Sequence, residues 1–328
     1  MNRTRTEAAG HGLVLIDKPA GWTSHDVVAR IRRLAGTRKV GHAGTLDPMA
    51  TGLLVLGINR ATRLLTYLVG ADKEYTATIR LGQDTSTDDA EGEVTSAAGA
   101  AQVDLIAEEL PAAMAALTGS IEQVPSTVSA IKVDGERAYA RARAGEQVVL
   151  AARPVHVEVF ERTGPVTSAR ADDGTSVVDV DVRVVCSSGT YIRALARDLG
   201  RGLGTGGHLT RLRRSRVGPF TIDQAQPLPE PDDEAAPVQV RDLTAVCSAV
   251  FDVLHLPEPA ARALRYGQFI DAPGPDGERA AGAATATGAA PAAATGAPRA
   301  AMHPDGHVVA LVEDRGRRLK PVLVLDPA

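Results

Sequence analysis

Apolar residues change their spacing several times along the chain, and each change marks an element. Gly12 to Asp17 (GLVLID) is an unbroken apolar run bounded by Pro19 and Gly21, which predicts a short buried strand. Thr23 or Ser24 then caps a helix in which Val27, Val28, Ile31, Leu34 and Ala35 recur at helical spacing, with Arg30 and Arg33 outside and Gly36 as the stop. Gly41 to Pro48 has no period at all, and its closely spaced breakers Gly41, Gly44 and Pro48 make it a shaped loop, after which Gly52 to Ile58 resumes as a core strand. Tyr75, Ala77, Ile79 and Leu81 alternate with Thr76, Thr78 and Arg80, the pattern of a half-buried strand with Tyr75 on its apolar face. Val103 to Thr118 reads as a helix closed by Gly119, and two further alternating runs, Val155 to Val159 and Val178 to Cys186, read as strands. The second runs through Ser187, Ser188 and Gly189 into a helix with Ile192, Leu195, Ala196 and Leu199 on its core face. Strands and helices mix without a strict βαβ rhythm, which predicts a mixed α/β fold with a central mixed sheet flanked by helices.

The C-terminal third differs. Residues 227–240 are rich in proline and acid (LPEPDDEAAP) and read as a linker between a large domain, 12–226, and a small one, 241–328. Within the small domain Val308 to Val312 and Pro321 to Leu325 flank a polar stretch, Glu313 to Lys320, which predicts a closing hairpin and a β-rich domain. From Ala280 to Ala300, 12 of 21 residues are alanine and most others are Gly, Thr or Pro, so residues 274–302 are expected to be a disordered insertion. The polar start, residues 1–11, is expected to be disordered too and lacks the apolar segment that secretion requires.

Composition narrows the class. At 328 residues, 44% hydrophobic and 23% charged, with no apolar run near the ~20 residues of a membrane span, the chain reads as a cytoplasmic globular protein. Two cysteines, Cys186 and Cys247, cannot build a disulfide framework or a four-ligand zinc site. A net charge of −4 argues against nucleic acid, but the charge is sorted: Asp84 to Leu110 holds 8 acidic and no basic residues, whereas Arg201 to Arg216 holds 5 arginines and no acid. Such sorting lets an acidic protein present a positive face to phosphates, and solvated helices are the plainer alternative.

The aperiodic loop Gly41-His42-Ala43-Gly44-Thr45-Leu46-Asp47-Pro48 carries the candidate chemistry. Its glycine spacing fits neither the P-loop nor the dinucleotide fingerprint, and His42 has no second histidine or cysteine near it in sequence, which argues against a metal site there. Asp47 is either a turn-former before proline or a catalytic carboxylate.

Read whole, the loop resembles the catalytic motif of the TruB family of tRNA pseudouridine synthases, and four further motifs follow in the family's order. They are Gly12 to Ser24 (GLVLIDKPAGWTS), Asp72-Lys73-Glu74-Tyr75, Gln123 to Lys132 (QVPSTVSAIK), and Cys186 to Arg193 (CSSGTYIR) with Leu212-Arg213-Arg214 after it. Ser126 and Val128 depart from the proline and tyrosine common at those places. The resemblance spans about Gly12 to Phe220 and implies the pseudouridine synthase fold with a PUA-like C-terminal appendage. It implies isomerisation of uridine 55 in the T-loop of tRNA, with no metal and no organic cofactor.

By that resemblance Asp47 is the catalytic carboxylate, Tyr75 packs on the extruded base, and Arg193 pairs with Asp47 and is expected to lower its pKa. His42, Tyr191, Leu212, Lys18 and Lys132 would bind substrate or buttress the site. Residues 122–153 would form an RNA-clamping insertion whose Arg137, Arg141 and Arg143, together with Arg211, Arg213 and Arg214, contact the RNA backbone. The expected partner is the tRNA T-arm stem-loop, with no membrane, no obligatory protein partner and a monomeric state. Two other readings share these residues: a tRNA-binding folding helper, and a synthase acting on another RNA.

Overall fold

The computed structural model describes residues 10–126, 132–133, 136–137, 150–230, 232–233, 237–272 and 297–328. Strand β1 (Gly12–Lys18) is followed by helix α1 (Ser24–Leu34), strand β2 (Val40–His42), strand β3 (Thr51–Ile58) and the short helix α2 (Leu65–Val69). Then come β4 (Lys73–Leu81), the hairpin β5 (Asp84–Thr85) and β6 (Val94–Ser96), helix α3 (Val103–Ala116), β7 (Gly119–Gln123) and the paired strands β8 (Lys132–Val133) and β9 (Glu136–Arg137). The expected clamp over 122–153 otherwise lies mostly outside the described residues, Arg141 and Arg143 included. Next are β10 (Arg153–Arg162), β11 (Thr167–Arg170), β12 (Ser176–Cys186), helix α4 (Ile192–Gly202), β13 (Gly207–Val217), β14 (Phe220–Thr221) and β15 (Gln226–Pro227).

These strands form one mixed sheet in the order β15-β1-β3-β13-β4-β12-β10-β7, with β13 parallel to β3 and antiparallel to β4. β1 and β3 read as continuous apolar runs because both their faces are covered. Val14, Ile16, Leu54 and Leu56 pack against Val27, Val28, Ile31 and Leu34 of α1, while Leu13, Leu15, Leu53 and Val55 share a core with Met302, Val308, Leu311 and Leu323 of the C-terminal region. The α1 start is fixed by a capping box, in which the Thr23 hydroxyl accepts from Asp26 N (3.1 Å) and the Asp26 carboxylate from Thr23 N (2.9 Å). β4 alternates because only one face is covered: Tyr75, Ala77, Ile79 and Leu81 enter the core, and on the other face Arg80 forms a bidentate pair with Asp179 of β12 (2.7 and 2.8 Å).

Strand β13 was not legible as a strand, since its arginines hide the alternation; it nevertheless lies in the middle of the sheet, with Arg214 1% exposed and paired across β4 with Tyr75. The region assigned to a linker is anchored. The Arg30 guanidinium donates to the carbonyls of Pro229 (3.2 Å), Glu230 and Asp233 (2.6 Å), and β16 (Arg241–Asp242) pairs with β1 in the main sheet.

The C-terminal region continues with helices α5 (Leu243–Val250) and α6 (Glu258–Arg265) and a five-stranded sheet ordered β17 (Val253–His255), β19 (Arg299–Met302), β20 (Val308–Arg315), β21 (Arg318–Val324), β18 (Ile270–Asp271). One expectation needs correction here. Arg299–Met302, placed in the disordered insertion, is a paired strand, and residues 273–296 lie outside the described residues. The expected closing hairpin is present, and its ladder runs on through the polar stretch, with β20 and β21 paired as far as Arg315↔Arg318.

Gly52 shows how tightly the sheet is built where β3 meets β13. Its φ is +100°, and a Cβ there would overlap the Arg214 backbone carbonyl. Gly52→Ala is therefore expected to cost at least about 1–3 kcal/mol, read as a fall in Tm and denaturation midpoint; unchanged stability would contradict this packing.

Candidate active site

The loop 43–50 joins β2 to β3, and buried cations hold its carbonyls. Lys18, the last residue of β1, is fully buried and its ammonium donates to the carbonyls of Pro19 (2.9 Å), Trp22 (2.6 Å) and Pro48 (3.2 Å). Arg214 donates from Nε to the Leu53 carbonyl (2.8 Å) and from its two terminal nitrogens to those of Thr45 (3.3 Å) and Gly44 (3.2 Å). Ser24 Oγ accepts from Leu46 N (2.9 Å) and donates to Leu46 O (3.1 Å). With its main chain so fixed, the loop aims the Asp47 carboxylate into a cleft of about 240 Å³. That volume is below the common 300–1,000 Å³ range of drug-sized sites, and it suits a single flat base.

Arg193, in the first turn of α4, reaches the same place from across the sheet. Its Nε lies 3.0 Å from Asp47 Oδ2, and its Nη1 lies 3.4 Å from Asp89 Oδ2 and donates to the Thr87 carbonyl (2.9 Å). Asp89 is 1% exposed, although it comes from the acidic stretch that sequence alone reads as solvated. Its other oxygen accepts from Glu91 N (3.0 Å) and from the Thr87 hydroxyl, so the hairpin and the arginine are fixed together. The α4 start is gripped by buried Gln123 at the end of β7, whose amide accepts from Tyr191 N (2.8 Å) and donates to Tyr191 O (3.1 Å). Neither Asp89 nor Gln123 was singled out from the sequence. Acid-rich composition disguises the first, and only its place at the head of a motif marks the second.

Asp47, Tyr75, Tyr191, Arg193 and Leu212 all line the cleft, joined by Lys73, Gly189 and Ile192. Lys18 lies beneath the loop. His42 is half-buried behind it, with His25 making an edge-on ring contact at 5.9 Å, a neighbour that sequence distance concealed. Arg214 is not placed to meet phosphate: its guanidinium is enclosed and serves loop carbonyls, which corrects its assignment to the RNA backbone. Arg213 is half-exposed and ion-paired with Asp17 (2.7 Å), and Arg211 is exposed. Lys132 and Arg137 lie on β8 and β9, whose side chains fall outside the description.

The electrostatics differ from the simple expectation for Asp47. Arg193 does pull its pKa down, but burial is the larger effect and the nearby Asp89 carboxylate adds to it, so the net shift is upward. Burial also brings Lys18 and Lys73 down to about 8, with Arg214 pushing both the same way. Tyr75 is 7% exposed and its hydroxyl is pushed up, again mainly by burial, so it stays protonated at neutral pH.

A base-sized cleft at the centre of a mixed sheet, with one carboxylate clamped by a buried arginine, places the chain in the pseudouridine synthase class of folds. Solved structures share that fold: the H/ACA RNP bound to a substrate RNA containing 2′-deoxyuridine superposes with TM-score 0.63 at 23% identity over 96% of this chain and 85% of that one. The archaeal box H/ACA sRNP Nop10-Cbf5 complex gives 0.62 at 24%, over 96% and 86%. Residues 32–192 match the TruB family pseudouridylate synthase N-terminal domain, 193–236 the tRNA pseudouridylate synthase B C-terminal domain, and 284–326 the tRNA pseudouridine synthase II C-terminal domain. The tRNA pseudouridine synthase B of Arthrobacter sp. (strain FB24) is 58% identical over 97% of both chains, and that of Thermobifida fusca (strain YX) 53% identical over 95% of this chain and 98% of the other. The chain belongs to the TruB family of pseudouridine synthases.

With Asp47 as the catalytic carboxylate expected from the sequence, the ionised form is the reactive one, and activity is expected to fall as pH drops through its raised pKa. Arg193→Ala removes the strongest downward influence and is expected to move the acid limb of kcat/KM to higher pH while lowering the plateau at least ~100-fold. An unmoved limb would show that the guanidinium does not set the charge state of Asp47.

Proposed function

We propose that this chain isomerises uridine 55 in the T-loop of tRNA to pseudouridine. The observation that carries the reading is the Asp47–Arg193 pair at 3.0 Å inside a cleft sized for one base. The reaction breaks the bond between N1 of uracil and C1′ of ribose and forms a bond from C5 to C1′; N1 gains a proton and C5 loses one. Atoms and electrons balance within the nucleotide, so no oxidant or reductant is consumed. The Asp47 carboxylate meets the positive charge that develops at C1′, whether by forming a covalent bond there or by helping to form a glycal.

Reaching C1′ requires the nucleotide to leave its stack, at a cost of a few kcal/mol. The Tyr75 ring and the apolar walls of Ile192 and Leu212 offer replacement contacts, and His42 in this reading lies against the displaced nucleotides. A protonated Tyr75 hydroxyl, held neutral by burial, donates a hydrogen bond or relays the C5 proton. The clamp segment 122–153, with Lys132, Arg137, Arg141 and Arg143, and the exposed Arg211 supply phosphate contacts that fix register on the T-arm without reading sequence. Among the described residues no helix is long and apolar enough to cross a membrane. In this reading the protein acts on tRNA in the cytoplasm, as a monomer and without an obligatory protein partner.

The test is pseudouridine formation in an unmodified T-arm stem-loop, without metal or accessory protein. Wild type is expected to convert the T-loop uridine, and Asp47→Asn to bind the RNA within about threefold of wild type while forming no product. A folded wild type that binds but makes nothing would contradict the reading, and product from Asp47→Asn would remove the carboxylate from the chemistry.

A further inference from the structure

The turn between β19 and β20, His303-Pro304-Asp305-Gly306-His307, lies in the C-terminal sheet and contributes no residue to the lining of the cleft. It brings together the two imidazoles and one carboxylate, with potential ligand atoms all within 4.8 Å of one another. The imidazoles stack at 4.6 Å with their planes 22° apart, and the Nδ1 atoms of both face the same oxygen, Asp305 Oδ1.

The outward nitrogens of both rings also meet carboxylates. His303 Nε2 lies 2.7 Å from Glu258 Oε2 of α6, and His307 Nε2 lies 3.2 Å from Asp326 Oδ2, itself paired with Arg265 at 3.0 Å. Each imidazole therefore lies between two carboxylates, Asp305 at Nδ1 and Glu258 or Asp326 at Nε2. His303 Nδ1 also faces the Asp305 backbone N–H, which donates to it (3.3 Å). With each ring N–H given to its outer carboxylate, the two Nδ1 atoms and Asp305 Oδ1 would present three donor atoms to one cation. An imidazole that gives its remote N–H to a carboxylate is also the usual outer arrangement around a bound transition metal.

We propose that this turn binds a divalent transition-metal ion of the zinc class through His303 Nδ1, His307 Nδ1 and Asp305 Oδ1, with a fourth position left for water. Two imidazole nitrogens and one oxygen suit zinc, cobalt or nickel and not magnesium or calcium, which take oxygen ligands. Metal–ligand lengths near 2.0–2.2 Å around a tetrahedral ion would set the ligand atoms ~3.4 Å apart. The present nitrogen–oxygen separations, 2.9 Å at His303 and 2.5 Å at His307, must therefore widen. The ring of His307 and the carboxylate of Asp305 are free enough to allow it, at 38% and 60% exposure. The ion would pin the turn to α6 through Glu258 and to the chain end through Asp326, and so brace the C-terminal sheet where Met302 and Val308 enter the core shared with β1 and β3.

The experiment is titration of untagged, chelator-treated full-length protein with zinc and, separately, magnesium, followed by calorimetry and thermal melting, with cobalt(II) as an optical probe. Expected are one zinc per chain, a Tm raised by at least ~2 °C, no response to magnesium, and the visible absorption of tetrahedral cobalt. The His303→Gln/His307→Gln variant should lose the site, and Glu258→Gln should weaken zinc by roughly 10- to 100-fold while keeping the stoichiometry. Wild-type protein that takes up no zinc overturns the proposal, as does zinc uptake that the double substitution leaves unchanged.

Discussion

The guanidinium of Arg193 lies between two carboxylates, Asp47 on the loop before β3 and Asp89 on the β5–β6 hairpin, and it also binds the Thr87 carbonyl. Asp47 belongs to the loop 43–50, and Asp89 and Thr87 to the hairpin, so the arginine joins that loop, the acidic hairpin and the start of α4 in one ion cluster. Removing either carboxylate would leave a nearly buried charge short of a partner, and removing the arginine would leave two like charges facing each other. Buried pairs of this kind contribute little net stability over apolar packing, yet breaking one is costly. Their consequence is geometric: Asp47 has one orientation, and its charge state is a compromise between burial, Asp89 and Arg193.

The main chain beneath follows the same logic. A turn that leaves a carboxylate pointing into a cleft also leaves its own carbonyls without ladder partners, and buried carbonyls require donors. Lys18 and Arg214 provide three such hydrogen bonds, to Pro48, Thr45 and Gly44, and three more to the neighbouring carbonyls of Pro19, Trp22 and Leu53. Burial is the main cause of the lowered pKa values of Lys18 and Lys73, and Arg214 adds to both. The cleft lining carries Lys73, Arg193 and Arg214 against Asp47, an excess of basic side chains that suits a ligand whose ribose is flanked by phosphates.

How much of this the sequence disclosed depended on whether each residue obeys the period of its element. β1, β3, α1 and the Tyr75 face of β4 were legible, because apolar burial drives their spacing and nothing competes with it. β13 was not: Arg211, Arg213, Arg214 and Arg216 look like a solvated basic run, yet Arg214 is enclosed by the loop it supports and Arg213 and Arg216 are paired with Asp17 and Asp72. Asp89 was hidden for the converse reason, since nothing in the sequence distinguishes one buried acid among the exposed and half-buried ones around it. The residues brought together at Asp47, Tyr75, Tyr191, Arg193 and Leu212 were named through a family resemblance; composition and spacing alone left Asp47 open between a turn-former and a catalytic group. The metal-like turn at His303 follows from the stacking of two imidazoles around Asp305 and from the carboxylates of Glu258 and Asp326 beyond them, a placement that the fold supplies.

The central claim is that Arg193 and Asp89 act on Asp47 as one unit, and a double-mutant cycle tests it most directly. Single-turnover isomerisation of the T-arm stem-loop is compared for wild type, Arg193→Lys, Asp89→Asn and the double variant. Each single substitution is expected to slow the reaction at least ~10-fold, with the double variant no slower than the worse single one, as residues sharing one network behave. Effects that multiply across the two sites would show that Asp89 and Arg193 act independently, and would contradict the account.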